Sequence, residues 1–440
     1  MKNTRQCSEA TYNKTYTMKF LKLTLIFTFL IALHANAQIL SQWRGENRDG
    51  IYNETGLLKQ WPEDGPELLW FNDSLPKGYS SPAIDDFAIY TTGIIDTLDY
   101  LFALDFTRKM LWKTPVGGAW TNSFSDSRAT PTIDGDKLYV ESGTCVISCV
   151  DKKSGEILWQ VDGFNTYEGI AGTWGYSESL VVLDDKVFFT PAGLQTTMVA
   201  LNKNTGEEVW QTESLNDTAG YVSPILVNEN GKNILITVLS NNVFGVDAEN
   251  GKIMFSHNYS EIDDDRAYAL WNSPSASRIN TNSPIYYNKE IYVTSGYNHS
   301  GVKYKLNDAM NALEVVWTDS VLDVHHGGVV LVDNYLYGAN WLNNSQGNWC
   351  CVNWETGKLA YETKWNTKGS VIYADGMLYC YEEKRGNLAL VEPTPEKFNV
   401  ISEFRITKGK GPHWSHLVIK DKKLYVRHEN ALMVFDIAAK

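Results

Sequence analysis

This sequence has few cysteines, and it has fewer basic than acidic residues. Its 440 residues include only six cysteines, and 39 Lys and Arg residues stand against 52 Asp and Glu residues, a net charge of −13. A protein that binds nucleic acid or an anionic membrane needs a basic surface, so the charge argues against both partners. Cys145 and Cys149 lie about 13 Å apart if the chain between them is extended, which is too far for a disulfide. We therefore interpret the cysteines as buried small hydrophobic residues.

Long apolar runs are also lacking, except for one near the N-terminus. Met18-Lys19 precedes the apolar residues 20–33, and Ala35-Asn36-Ala37 matches a signal-peptidase site. The run is too short to span a bilayer, and no later run is long enough. We predict that residues 1–37 combine an over-long start with a signal peptide, and that the protein is exported to the periplasm or the extracellular space. No cysteine follows the predicted cleavage site, which argues against a lipid anchor.

Removing residues 1–37 makes the chain still more acidic. Five Lys or Arg residues and one Glu are lost, which leaves 34 basic and 51 acidic residues and a net charge of −17. Such a surface suits a soluble exported protein. We also expect a small-molecule or glycan ligand and no membrane span. We expect a monomer.

A four-stranded pattern recurs through the rest of the chain. Its clearest copy is SRATPTIDGDKLYVESGTCVISCVDKKSGEILWQV at residues 127–161, where β-branched and aromatic residues alternate with turn residues. A single sheet of this kind cannot bury both faces, so it must stack on copies of itself. We count eight units, and the first seven close on an aromatic residue about every 45 positions: Trp112, Trp159, Trp210, Phe255, Trp317, Tyr361 and Phe404.

The eighth unit, residues 416–437, supplies only three strands. An isolated predicted strand around Trp70 has no partner nearby in sequence, and we predict that it becomes the missing fourth strand, which leaves no exposed edges at the seam. The predicted fold is all-β, an eight-bladed β-propeller of four-stranded antiparallel blades at residues 66–440, closed by an N-terminal strand. Residues 38–65 are predicted to be a lead-in segment before the propeller.

The turn between the third and fourth strands carries a recurring motif. The strings DKKSGE, NKNTGE, DAENGK and NWETGK begin at Asp151, Asn202, Asp247 and Asn353, and each precedes a closing aromatic residue. This motif resembles the PQQ-like β-propeller repeat family over residues 66–437. The strings HHGG, KGS and ADGMLYCYEE in the C-terminal third resemble uncharacterised secreted members described as quinoprotein alcohol dehydrogenase-like. The resemblance implies eight blades with tryptophan docking, but a fold does not by itself carry a function.

In a propeller, the residues just before each innermost strand converge on one mouth of the central channel, and such mouths are common ligand sites. These positions are unusually rich in aromatic residues and histidine. We predict that ten side chains line this mouth: Tyr79, Arg128, Trp174, Tyr176, His325, His326, Lys368, His413, Trp414 and His416. Our leading hypothesis is that they bind a ligand, most simply a carbohydrate, because aromatic rings stack on sugars.

A metal- or His/Tyr-dependent polysaccharide lyase is an alternative. Abstracting a proton next to a uronate carboxylate needs a base and a cation that neutralises the acid. His325, His413 and His416 are the candidate ligands for a divalent metal, and Arg128 and Lys368 are candidate partners of the carboxylate. Adjacent residues on a regular strand face opposite ways, so we expect only one of His325 and His326 to point inward.

Two further alternatives come from the resemblance. True PQQ dehydrogenases of this fold use a tryptophan floor, a disulfide between adjacent cysteines, a calcium ion held by Glu and Asn, and a catalytic Asp. Cys350-Cys351 matches the adjacent pair, but its predicted place is the third strand of a blade, away from the mouth. An envelope protein-assembly scaffold is the other alternative. The Glu382–Gly386 string is interpreted as a charged hairpin turn.

Overall fold

The computed structural model describes residues 40–262 and 279–440. The predicted signal peptide therefore lies outside the described residues. Residues 40–440 form one compact unit. Within the described ranges, the regular structure is almost entirely β, with one short α-helix, Gly163–Thr166, and one 3-10 helix, Tyr259–Glu261. Neither of them has the length and apolar character of a membrane-crossing helix.

The described strands form eight four-stranded antiparallel blades, two of which gain a fifth strand. Three short strands precede the first blade: β1 (Leu40–Ser41), β2 (Ile51–Tyr52) and β3 (Glu67–Asn72). Blades 1 to 4 comprise β4 (Ala83–Ile84), β5 (Ile89–Ile95), β6 (Leu98–Leu104) and β7 (Met110–Gly118); β8 (Thr132–Asp134), β9 (Lys137–Glu141), β10 (Val146–Asp151) and β11 (Ile157–Asp162); β12 (Val181–Leu183), β13 (Lys186–Phe189), β14 (Val199–Asn202) and β15 (Glu208–Gln211); and β16 (Ile225–Glu229), β17 (Lys232–Val238), β18 (Asn242–Asp247) and β19 (Ile253–Asn258).

The other four blades follow the same plan. They comprise β20 (Ile285–Tyr287), β21 (Glu290–Val293), β22 (Gly301–Leu306) and β23 (Leu313–Asp319); β24 (Val324–Val332), β25 (Tyr335–Asn340), β26 (Trp349–Asn353) and β27 (Leu359–Thr363); β28 (Gly369–Ala374), β29 (Met377–Glu382), β30 (Asn387–Glu392) and β31 (Asn399–Arg405); and β32 (Val418–Lys420), β33 (Lys423–His428) and β34 (Ala431–Asp436) with β3. The predicted eight-bladed all-β fold is confirmed, and so is its closure, because β3 pairs with β34 through Leu68 and Phe435.

Tryptophan docking joins consecutive blades. The indole N–H of Trp159, at the end of blade 2, donates to the carbonyl of Lys203 in the NKNTGE turn of blade 3, at 3.0 Å. In that turn the Asn202 side chain accepts from two backbone N–H groups, and Gly206 takes a left-handed φ of 75°. A Cβ at Gly206 would lie 2.8 Å from the Trp159 ring. The motif therefore forms a flat surface against which the closing tryptophan of the preceding blade packs.

All five cysteines in the described ranges are buried and free, as predicted. Cys350 and Cys351 are adjacent on β26, the third strand of blade 6, and belong to different hydrophobic clusters. They contribute to packing between blades and form no disulfide.

The lead-in segment does not stay outside the propeller. β1 pairs with β8 through Ser41 and Ile133, and β2 pairs with β28 through Ile51 and Tyr373. Because β8 and β28 are the first strands of blades 2 and 7, the segment crosses the channel between their free edges. Two strands of the lead-in segment are thus hydrogen-bonded to blades of the propeller.

Candidate functional site

The first strand of each blade lies at the channel, and hydrogen bonds between neighbouring blades draw the strand starts together. The Ser223 hydroxyl accepts from the Ser179 N–H at 2.9 Å, and the Ser179 hydroxyl accepts from the Thr130 N–H at 3.1 Å. The residues that precede these strands surround a cavity of about 500 Å³, which we call the mouth cavity. This volume lies in the range of roughly 300–1,000 Å³ that is usual for small-molecule sites.

The lead-in segment forms the floor of the mouth cavity. Its pairings through Ser41 and Ile51 lie toward the far ends of β8 and β28, so the turn between them faces the mouth. Trp43, in this turn, lines the cavity. Behind it, Arg48 donates to the carbonyls of Ser179, Leu180 and Pro224. The guanidinium thus satisfies backbone acceptors at the free inner edges of blades 3 and 4, where the Leu180 carbonyl also accepts from the Thr132 hydroxyl at 2.6 Å.

Seven of the ten predicted side chains line the mouth cavity. They are Tyr79, Arg128, Trp174, His325, His326, Trp414 and His416. The aromatic members contact one another, since the ring of Trp414 lies 5.0 Å from that of Tyr79 and 5.8 Å from that of His326. Aromatic side chains therefore form much of the wall.

The other three predicted side chains lie behind the wall. Tyr176 is buried between blades 2 and 3, where its hydroxyl donates to the Pro191 carbonyl at 2.9 Å. The ring of His413 stacks on that of His428 at 3.6 Å and contacts the hydroxyl of Tyr381. Burial, and then the neighbouring His428, lower the pKa of His413 to about 3. Sequence position brings these residues to the mouth, but packing between blades turns their side chains away.

Lys368 is the third predicted side chain that does not line the cavity. It lies behind the wall and contacts Glu383, which does line the cavity. Its ammonium lies 2.6 Å from Oε1 of Glu383 and donates to the Asn343 carbonyl at 3.0 Å. Glu383, which we interpreted as part of a charged hairpin turn, does follow β29 in a turn, but its side chain is buried and lines the cavity. Burial alone would raise the pKa of Glu383, but the contact with His326 and the charge of Lys368 lower it to about 2.

His325 and His326 both line the cavity, contrary to the expectation that only one would point inward. β24 pairs with β25 at Val324 and again from Val329 onward, and the register shifts between these two residues. Within this interval Gly328 has a left-handed φ of 72°. A bulge of this kind breaks the alternation of side chains along a strand. The two imidazole rings lie 4.7 Å apart. The glycines of HHGG were the sequence signal for this bulge.

The predicted metal ligands His325, His413 and His416 do not form a site. His413 lies behind the wall, and both nitrogens of His416 are engaged: Nδ1 accepts from Arg44 at 3.2 Å, so Nε2 carries the proton and donates to the His326 carbonyl at 3.1 Å. Burial lowers the pKa of His416 well below its ordinary value, which agrees with a neutral ring. The structure instead brings His325, His326 and Glu383 together, with one donor atom of each within 4.8 Å of the others.

Neither predicted partner of a substrate carboxylate is free to act. Arg128 pairs with Asp126 at 2.9 Å, and its other nitrogens donate to the carbonyls of Trp174 and Phe124. Lys368 is neutralised by Glu383. The described lining residues therefore offer no uncompensated Arg or Lys to an acidic sugar.

The residues at the mouth do not fit PQQ with calcium. Trp43 could stack on a flat cofactor, but Cys350 and Cys351 lie in β26 and do not line the cavity. Calcium takes six to eight oxygen ligands, whereas the one carboxylate among the described lining residues, Glu383, is already paired with Lys368 and His326. We derive no step through a quinone.

Eleven of the described lining residues lie outside the predicted set of ten. They are Trp43, Phe124, Ser177, Ser179, Tyr221, Ser223, Ile279, Thr281, Tyr297, Asn344 and Glu383. Tyr221 and the serines precede first strands, so the repeat places them at the mouth. Trp43, Tyr297 and Asn344 come from the lead-in segment and from connections within blades, whose positions depend on contacts distant in sequence.

A family model described as outer membrane protein assembly factor BamB matches residues 99–340, more than half of the chain. An uncharacterised protein of Rickettsia conorii is 25% identical over 228 residues, which cover 51% of this chain and 48% of that protein. A quinoprotein ethanol dehydrogenase of Pseudomonas aeruginosa is 30% identical over 138 residues, which cover 29% of this chain and 22% of that enzyme. The chain therefore spans half or less of the curated relatives it matches.

Solved structures show the same fold at low identity. BamB from Moraxella catarrhalis superposes with a TM-score of 0.58 and 11% identity, over 84% of this chain and 99% of that one. A europium-containing methanol dehydrogenase gives a TM-score of 0.61 and 12% identity, over 88% and 89% of the two chains. At these identities the likeness concerns the propeller alone, and the chemistry depends on the residues at the mouth.

Proposed function

This chain belongs to the PQQ-like β-propeller family whose model is described as outer membrane protein assembly factor BamB, and within that fold we propose that the mouth cavity binds a neutral carbohydrate. The observation that carries the proposal is the aromatic wall. Trp43, Trp174 and Trp414 all line one cavity and are only partly buried, so their rings remain available to a ligand. Rings of this kind stack on the apolar faces of sugars.

Hydroxyl groups between the aromatic rings suit sugar hydroxyls. Ser179 and Ser223 each use the side-chain oxygen to accept from a backbone N–H, which leaves the hydroxyl proton of each to donate. Ser177 also lines the cavity. Because Arg128 and Lys368 are already paired with carboxylates, a neutral sugar fits this wall better than a uronate.

Calorimetric titration with neutral oligosaccharides of glucose, mannose and xylose, and with oligogalacturonates, tests the proposal. We expect a neutral sugar to bind and the oligogalacturonates to bind at least about tenfold more weakly. Trp414→Ala should weaken binding about tenfold, since an aromatic contact contributes roughly 1 kcal/mol or more. Tyr287→Ala, which removes an exposed aromatic ring outside the cavity, should have no effect. Failure of every neutral sugar, or equal affinities of Trp414→Ala and wild type, would refute the proposal.

Protein docking at the same face is a second candidate, favoured by the family description and by one observation. Phe124, Leu194 and Leu342 are 61%, 68% and 49% exposed, and all three lie in connections at the mouth end of their blades. Exposed apolar residues grouped on one face are typical of interaction surfaces. Truncating Leu194 and Leu342, which do not line the cavity, to Ala should then abolish recovery of a cross-linked partner from the native envelope, while sugar binding in the cavity persists. We further propose export to the periplasm as the setting for either function.

A further inference from the structure

A cluster of three metal-binding groups lies in the wall of the mouth cavity between blades 6 and 7. His325 and His326 come from the bulge in β24, and Glu383 comes from the turn after β29. One donor atom from each lies within 4.8 Å of the others. Two separate chain segments thus bring two imidazoles and a carboxylate to one point on the cavity surface.

Each of the three residues has one buried polar atom that makes no hydrogen bond to the described residues. These atoms are Nδ1 of His325, Nε2 of His326 and Oε2 of Glu383. Nε2 of His326 and Oε2 of Glu383 face each other at 2.7 Å, whereas Nδ1 of His325 has no hydrogen bond to the described residues. Most buried polar atoms in proteins are paired, and a metal ion at this point would give all three residues a common partner.

The second nitrogen of His325 contacts a tyrosine that also lines the cavity. Nε2 lies 2.9 Å from the hydroxyl of Tyr297, and the two rings meet edge-on at 4.9 Å. A metal-bound histidine typically uses its other nitrogen in such a hydrogen bond, which orients the ring. The contact therefore holds His325 in place and leaves Nδ1 for a metal.

The types of ligand determine which metals suit the cluster. The ammonium of Lys368 lies 2.6 Å from Oε1 of Glu383 and leaves Oε2 for a cation. This positive charge opposes every divalent cation, but calcium and magnesium also depend on several anionic oxygens, and the cluster offers only one. Two imidazole nitrogens and one carboxylate oxygen are ligands that zinc and similar transition metals prefer.

We propose that His325, His326 and Glu383 bind a divalent transition-metal ion of the zinc class at an open site facing the mouth cavity. The three protein ligands leave at least one coordination position for water or for a hydroxyl of a bound molecule. The site is independent of the proposed carbohydrate, because all three ligands come from the protein.

The test is a titration of the tag-free, metal-stripped protein with Zn²⁺ and Co²⁺, without sugar, followed by calorimetry and by the visible absorption of Co²⁺. We expect one equivalent of either metal and no comparable binding of Ca²⁺. Loss of an outer partner of a ligand costs about 10–100-fold in affinity, so His326→Ala should cost at least about 100-fold. His257→Ala, which changes a histidine outside the cavity, should bind like the wild type.

In contrast to His326→Ala, Lys368→Gln should increase the affinity for Zn²⁺. Removing the ammonium beside Glu383 should tighten Zn²⁺ binding by about tenfold, whereas a variant that merely damages the fold would bind more weakly. Circular dichroism and thermal melting confirm that each variant is folded. Absence of stoichiometric binding by the folded wild type, or the same affinity in His326→Ala, would overturn the proposal. Because no sugar is present, its failure would leave the carbohydrate proposal standing.

Discussion

Arg44 and Arg48 occupy the channel, and neither is directly paired with a carboxylate of the described residues. Both side chains are almost completely buried, and burial lowers the pKa of each to about 10. Their partners are backbone carbonyls of the inner strands, together with Gln42 for Arg48 and His416 for Arg44. A guanidinium offers five N–H groups in a fixed plane, so one side chain can satisfy several free carbonyls that water would otherwise reach.

Replacing Arg48 with Met should destabilise the protein by about 3 kcal/mol or more, because the carbonyls of Ser179, Leu180 and Pro224 lose a charged donor in a buried place. Urea unfolding measures the change. Arg108→Ala removes an exposed arginine in a turn and should change the free energy of unfolding by less than about 0.5 kcal/mol. Equal effects of the two substitutions would contradict the role given to Arg48.

His413 should make stability depend on pH. Its pKa is about 6.5 in the unfolded chain and about 3 in the folded protein, because burial opposes the charge. Between these values the unfolded state binds the proton first, so the free energy of unfolding falls by about 1.4 kcal/mol for each pH unit of acidification. His413→Asn should remove that share of the slope between pH 6.5 and pH 4.5. Urea titrations at several pH values measure this dependence. If the free energy of unfolding changes with pH equally in the wild type and in His413→Asn, the prediction is wrong.

At the scale of the structural element, the glycine turns and the docked tryptophans act as one device. Gly206 and Trp159 belong to neighbouring blades, and the left-handed glycine lets the indole lie flat against the turn. The same arrangement recurs at Gly155 with Trp112 and at Gly251 with Trp210. The repeated motif of the sequence is therefore a contact between blades, not a feature within one.

Gly206→Ala should cost about 2–4 kcal/mol, since it combines a strained φ with a Cβ placed against Trp159. Gly231 is the matched control: its φ is 78° and no atom lies within 4 Å of an added Cβ. Gly231→Ala should cost only the backbone strain, about 1–2 kcal/mol. Thermal melting of both variants isolates the contribution of the docked indole, and equal losses would argue against it.

The limits of sequence-based prediction also appear at this scale. The blades and the closing strand follow from alternation, turn residues and the spacing of tryptophans, which are local patterns. The HHGG bulge, the turn of Glu383 and the burial of Arg48 depend on partners from other blades. For that reason the repeat predicted which segments reach the mouth, while the direction of His413 and the pairing of Lys368 emerged only from packing.

For the molecule as a whole, the ring has one seam that is not covalently continuous, between β3 and β34. A disulfide across it, Glu67→Cys with Asp436→Cys, joins residues that are directly opposite. We expect stabilisation of about 2–4 kcal/mol, because the cross-link closes a very long loop in the unfolded chain. Urea unfolding with and without a reducing agent measures it. If the oxidised form is no more stable to urea than the reduced form, the ring does not open at this seam.

The floor of the mouth cavity also determines when, during synthesis of the chain, a complete cavity can form. Trp43 and β3 are made before the strands of the first seven blades, whereas β34 is made after all the other described strands. Until the final blade exists, the early strand has no partner, and the ring around Trp43 is incomplete. A fragment or a half-finished chain therefore has no complete cavity to offer. Ligand present during folding would selectively stabilise finished molecules, so the ability to bind would distinguish completed chains from partial ones.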